Sequence, residues 1–348
     1  MKITKSRFGK TNEGIEVDLF TLSNDNQVTV KITNYGCIIT SIVTADKNRE
    51  LANIACGFDR LENYLSFEYL GSYPYFGCIC GRVCNRIAKG KFSLEGKNYS
   101  LAINNGPNAL HGGLVGFDKR IWSAEPFEDF ECVGVRLKYL SPDMEEGYPG
   151  NVAVSCTYIL NNNNELSIEY AAETDQTTLL NLTNHTYFNL TGGKDQILNH
   201  ELELPAQSFT ESVSCIPTGQ ILPVSGTPFD FLTKKKLGQD IANLEDGYDL
   251  NFVLDNEGGN LVHAGFLSEE TSGRMVDVYT TQPGIQLYTG YWIPELTVDG
   301  QKKFGRYSGV ALETQHYPDS INNSHFPPII LSPGQKFYEK TIYEFGTK

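Results

Sequence analysis

Val152-Ala153-Val154-Ser155-Cys156-Thr157-Tyr158-Ile159-Leu160, Asn161-Asn162-Asn163-Asn164, and then Leu166-Ser167-Ile168-Glu169-Tyr170 form the stretch whose reading decides the fold. Apolar and polar side chains alternate from Val152 to Cys156, and the four asparagines make a polar turn between two such runs. A period of two is that of a half-buried strand, and the turn joins two of them as a hairpin. Val28-Thr29-Val30-Lys31-Ile32 and Val133-Gly134-Val135-Arg136-Leu137 repeat the pattern, and Phe92, Leu94, Tyr99 and Leu101 flank the Glu95-Gly96-Lys97 turn as a further hairpin. Phe337, Glu339, Thr341, Tyr343 and Phe345 mark a final strand. Helical signals are confined to Arg60 to Tyr69 and Lys235 to Leu244. Many strands at short spacing predict an all-β fold, an antiparallel sandwich or barrel with a few short helices. No linker or compositional break interrupts the pattern, so residues 1–348 read as a single domain.

The formal net charge of −14 narrows the ligand class. Nucleic-acid binding needs a basic stripe that displaces counterions, and an anionic membrane surface would repel such a chain. A neutral substrate fits better, and an aromatic content of 11% supplies rings on which a sugar could stack. The first residues carry no apolar run of the signal-peptide kind, and no uncharged stretch is long enough to span a bilayer. The expectation is a cytoplasmic protein whose cysteines at 37, 56, 78, 80, 84, 132, 156 and 215 are reduced core residues. Cys78, Cys80 and Cys84 lack the second ligand pair of a structural zinc site.

Four segments concentrate polar side chains where a plain sandwich does not require them. Gly81-Arg82-Val83-Cys84-Asn85-Arg86 reads by default as a strand end with solvated arginines, yet Arg86 offers a donor fork suited to hydroxyls or a carboxylate. In Asn108-Ala109-Leu110-His111-Gly112-Gly113, two glycines after a histidine let the backbone come close to a ligand, although His111 could sit in an ordinary turn. Asn181-Leu182-Thr183-Asn184-His185-Thr186-Tyr187-Phe188-Asn189-Leu190, taken as one strand, puts Thr183, His185, Tyr187 and Asn189 on a single face. Val310-Ala311-Leu312-Glu313-Thr314-Gln315 ends an apolar run in a carboxylate, by default solvated, but suited to act as a base if buried beside a sugar. Gly247-Tyr248-Asp249 and Thr281-Gln282-Pro283-Gly284 supply further hydroxyl-binding types.

These motifs, in this order, resemble the aldose 1-epimerase (galactose mutarotase) family. The run Asn181 to Leu190 is similar to the family's active-site signature without a departure. Asn85-Arg86-Ile87, Leu110-His111-Gly112-Gly113, Glu145-Glu146-Gly147-Tyr148-Pro149-Gly150, Thr281-Gln282-Pro283-Gly284 and Leu312-Glu313-Thr314-Gln315 support it. The resemblance implies a large antiparallel β-sandwich, the supersandwich of the galactose mutarotases, with an open cleft for a free aldohexose, galactose or glucose. For want of an obvious assembly surface in the sequence a monomer is expected, with a dimer as the alternative. The resemblance assigns His185 as the acid for the ring oxygen and Glu313 as the base for the C1 hydroxyl, with His111 polarising the same end. Asn85, Arg86, Asp249 and Gln282 would bind hydroxyls, and neither a metal nor an organic cofactor is implied. His316-Tyr317 departs from the family's usual Asn-Trp, Met144 stands where glycine is usual, and Cys84 replaces a small residue.

The chemistry suits these residue types. Anomers interconvert through the open-chain aldehyde, which requires one proton to leave O1 and another to reach O5, and histidine titrates near neutrality. Three rivals remain at this stage: a hexose 6-phosphate epimerase, which would need more cations than Arg82 and Arg86; a sugar-binding sandwich without catalysis; and a glycoside hydrolase, which would need two facing carboxylates.

Overall fold

The structure is a computed structural model that describes residues 1–256 and 259–348. A nine-stranded sheet runs in the order Ser123–Glu128, Cys132–Ser141, Val152–Asn161, Glu165–Thr174, Phe337–Thr347, Arg274–Thr280, Val262–Ser268, Glu201–Glu203, Lys235–Lys236. The hairpin quoted at the outset lies within it, with Leu160 opposite Leu166 and Cys156 opposite Tyr170. A five-stranded sheet is built from Lys2–Lys10, Glu16–Ser23, Thr29–Thr33, Ile39–Ala45 and Leu51–Asn53. A six-stranded sheet runs Tyr187–Phe188, Val310–Gln315, Gly284–Tyr288, Asp249–Val253, Ser208–Val213, Ile216–Pro223. Neighbouring strands in all three are antiparallel.

One core cluster draws side chains from all three sheets, among them Phe20, Val30, Val135, Tyr158, Leu287 and Leu312. Inward residues alternate with polar ones, which lets each sheet bury one face, as two-layer β architectures require. Tyr158 Oη donates to the Cys37 carbonyl at 2.6 Å and Tyr343 Oη to the Leu312 carbonyl at 3.3 Å, tying the large sheet to each smaller one.

The helical expectations are corrected in detail. Arg60 to Tyr69 divides into two short helices, Leu61–Tyr64 and Phe67–Ser72. Lys235 to Leu244 is not a helix: Lys235–Lys236 pairs with Glu201–Leu202, and only Ile241–Asn243 makes a 3-10 turn. Lys235 Nζ also donates to Asp240 Oδ2 at 2.6 Å. The run Asn181 to Leu190 is likewise not one strand. Thr183–Asn184 pairs with Ile79–Cys80, whereas Tyr187–Phe188 joins the six-stranded sheet, and His185 lies where the chain changes partner. Seven of the eight cysteines are buried or half-buried and one, Cys215, is exposed, against the expectation of core positions throughout.

Candidate active site

The register of the six-stranded sheet builds the floor of the site. Glu313 stands opposite Gln286, and Gln286 opposite Asn251. Two residues along, Ala311 stands opposite Tyr288 and Tyr187, and Tyr288 opposite Asp249. Because side chains two apart share a face, these two rungs put Glu313, Gln286, Asp249, Tyr288 and Tyr187 on the same side. The opposite side carries Leu312, Leu287, Leu250 and Phe252, all in the core. Alternation that elsewhere separates core from solvent here separates core from a second, polar interior.

Loops cover that polar face and leave a cavity of about 440 Å³, lined by Tyr75, Asn85, Arg86, His111, His185, Tyr187, Asp249, Tyr288 and Glu313 among others. Its size lies within the roughly 300–1,000 Å³ common for small-molecule sites. His185 is held by its backbone, its N–H donating to Cys78 O and its carbonyl accepting from Gly77 N–H, each at 2.9 Å. Its Nε2 lies 3.5 Å from Glu313 Oε1. The rings of Tyr75 and Tyr187 lie at shallow angles to the imidazole, with centroids 6.0 and 4.8 Å away. Burial depresses His185 to about 3 and pushes the Glu313 carboxyl well above its ordinary range, an effect the nearby Asp249 carboxylate reinforces and Arg86 opposes. Both groups are thereby biased to their neutral forms.

His111 occupies a tight loop. Asn104 Oδ1 accepts from Leu110 N–H and Asn104 Nδ2 donates to the Leu110 and Gly113 carbonyls. Glu146 accepts from Leu114 and Val115 N–H at 2.8 and 3.1 Å. A Cβ on Gly112 would lie 1.8 Å from the Gly81 carbonyl oxygen, which is why that position is glycine. The Asn85 N–H donates to His111 Nδ1 at 3.2 Å, so that nitrogen is an acceptor and the ring hydrogen sits on Nε2. Burial, with His185 and Arg86 nearby, keeps His111 well below the usual imidazole range and therefore neutral. His111, His185 and Glu313 offer ligand atoms within 4.8 Å of one another, a constellation that could hold a metal ion. The Asn85 amide opposes this, because it leaves His111 Nε2 protonated and without a lone pair for a cation.

Arg86 bridges the wall. Its Nε donates to Asn105 Oδ1 at 3.0 Å and its Nη1 lies 3.8 Å from Asp249 Oδ2. Asp249 Oδ1 also accepts from Gln286 Nε2 at 2.6 Å. The cavity thus brings together His185, Glu313, His111, Asn85, Arg86 and Asp249. Gln282, expected to bind a hydroxyl, lies outside it. It is wholly buried, donates to the Leu182 and Thr314 carbonyls at 3.1 and 2.9 Å, and does not line the cavity. Its amide ties two chain segments behind the site. Arg82 is neither solvated nor in the cavity: it is 2% exposed and donates to the carbonyls of Ser141, Pro142 and Pro149. Gln286, Tyr75 and Tyr288 escaped the sequence reading. Period-two register with Glu313 could have indicated Gln286 and Tyr288 once the strands were paired, but nothing local marks Tyr75.

A buried imidazole and carboxylate 3.5 Å apart at the floor of a polar cavity, in an antiparallel β-sandwich, define an acid–base site on this fold. The aldose 1-epimerase family model matches residues 18–344, and the chain belongs to that family. It is 42% identical to galactose mutarotase from Sus scrofa over 357 aligned residues, covering 99% of each chain. It is 40% identical to galactose mutarotase from Homo sapiens, covering 99% of this chain and 98% of that one. A crystal structure of galactose 1-epimerase from Lactobacillus acidophilus superposes with a TM-score of 0.85 at 27% identity, covering 99% of both chains.

Proposed function

We propose that this cavity interconverts the α and β anomers of free aldohexoses, with His185 as the acid and Glu313 as the base. The observation that carries the reading is the pairing of His185 Nε2 and Glu313 Oε1, 3.5 Å apart and buried at the floor of a polar cavity. Glu313 takes the proton from O1 as the C1–O5 bond breaks, and His185 delivers one to O5, giving the aldehyde. Rotation about C1–C2 turns the other face of the carbonyl to O5; His185 then recovers its proton from O5 and Glu313 returns one to O1. Ring opening converts an imidazolium and a carboxylate into an imidazole and a carboxylic acid. Burial favours the neutral pair, so the charged pair that opens the ring forms against that bias, held by its own contact at 3.5 Å.

His111, neutral with its hydrogen on Nε2, donates to a sugar oxygen at this end without contributing a charge. Arg86, Asp249 and Asn85 fix the ring through its other hydroxyls. A phosphorylated hexose is less well served, since Arg86 is already shared between Asn105 and Asp249, and Arg82 lies buried outside the cavity. The cavity is complete within one chain, which supports a monomer, and the same reading takes the chain to work in the cytoplasm on galactose or glucose.

Polarimetry of freshly dissolved α-galactose tests the assignment. His185→Asn and Glu313→Gln should each lower kcat by more than about 100-fold, the range for losing a general acid or base, with sugar binding largely kept. Variants as fast as the wild type would refute it.

A further inference from the structure

Trp292 lines the sugar cavity while 64% of its surface stays exposed. The turn that presents it is firmly braced. Its backbone N–H donates to Tyr288 Oη at 2.8 Å, and the Tyr288 ring lies 6.4 Å from that of His185. The next residue, Ile293, is buried, and both its N–H and that of Tyr307 donate to the Gly290 carbonyl. Tyr291 packs edge-on against Trp292 at 5.0 Å, with the Arg306 guanidinium 3.9 Å above the Tyr291 ring. A fixed turn therefore holds a large flat apolar surface open at this point.

The cavity has a clear depth order. His111, His185 and Glu313 are buried, whereas Ser72, Pro107, Ser214, Cys215 and Trp292 are exposed around the mouth. A sugar whose anomeric carbon reaches His185 and Glu313 leaves its remote carbons at the mouth. Hydroxyls there meet water, but the C–H face of the ring gains from an aromatic partner, and tryptophan offers the largest.

We propose that Trp292 is a specificity-determining contact for the sugar, its indole receiving the C–H face of the carbons farthest from C1. This rests on the acid–base reading above, which decides which end of the sugar lies deep. The other tryptophan, Trp122, is wholly buried in the core, so intrinsic fluorescence isolates the effect.

The test is a galactose titration of tryptophan fluorescence, together with mutarotation kinetics on wild type, Trp292→Phe and Trp292→Ala. The wild type should show a saturable change that both variants lose. Trp292→Ala should raise KM about 3- to 10-fold, the worth of one aromatic contact, with kcat falling less than about 2-fold and Phe restoring most of the KM. An active wild type with no fluorescence response, or an alanine variant with unchanged KM, overturns this inference and leaves the acid–base reading intact. A saturable response together with undiminished activity in His185→Asn and Glu313→Gln overturns that reading instead.

Discussion

His111 illustrates how one backbone amide settles the character of a side chain. The resemblance of the loop to its family suggested a polarising histidine, but no sequence reading could tell which nitrogen carries the hydrogen. That depends on the Asn85 N–H, 26 positions away, pointing at Nδ1. Two consequences follow from the fixed tautomer. Nitrogen-detected NMR should find His111 neutral and protonated at Nε2 throughout the range near neutrality, and micromolar Zn²⁺ should leave the rate of mutarotation unchanged despite the two histidines and the glutamate. Inhibition that competes with sugar, accompanied by loss of the Nε2–H signal, would show that a cation can displace the Asn85 contact. Gln282 teaches the converse. Its motif was legible, but a buried amide and a hydroxyl-binding amide look alike until the strands are paired.

Single strands were readable because a period of two is written locally, and the 152–170 hairpin emerged with its turn where the asparagines put it. The switch of partners within Asn181 to Leu190 was not, since alternation says nothing about which strand lies alongside. The helix expected at Lys235 to Leu244 is absent because Lys235 and Lys236 pair with Leu202 and Glu201 and the Leu237 and Gly238 N–H groups donate to the His200 and Leu198 carbonyls, which commits this backbone to a sheet edge. Arg82, solvated by the default sequence reading, is a brace between elements: its guanidinium gathers carbonyls from both ends of the 141–149 loop. That loop carries Glu146, which in turn holds the strand-free segment after His111. Arg82→Met should therefore leave several buried carbonyls without donors and destabilise the fold by about 3 kcal/mol. Urea denaturation would register this as a lower midpoint at unchanged m-value; an unaltered midpoint would mean that water replaces the guanidinium at no cost.

Across the whole molecule, buried imidazoles couple folding to pH. His200 is wholly enclosed, accepts the Leu190 N–H at its Nε2 over 2.8 Å, and is depressed by burial to about 4. A histidine that must stay neutral when folded takes up a proton on unfolding below about 6.5, so its effect is absent above that pH and grows as pH falls toward 4. At pH 5, roughly 1.5 pH units below the value for the unfolded chain, it should cost about 2 kcal/mol at 1.36 kcal/mol per unit. Comparing urea midpoints at pH 7 and pH 5, the wild type should lose more stability than His200→Gln, and equal losses would place the proton-linked step elsewhere. The size of the cavity has its own consequence at this scale. The rings of Tyr75, His111, His185 and Tyr187 pack on one another in series along the cavity, and a freed aldehyde must swivel half a turn there before it can close on its other face. A cavity of about 440 Å³ supplies the room for that swivel. A snugger container would grip the hexose harder, and would hand it back as the anomer that came in.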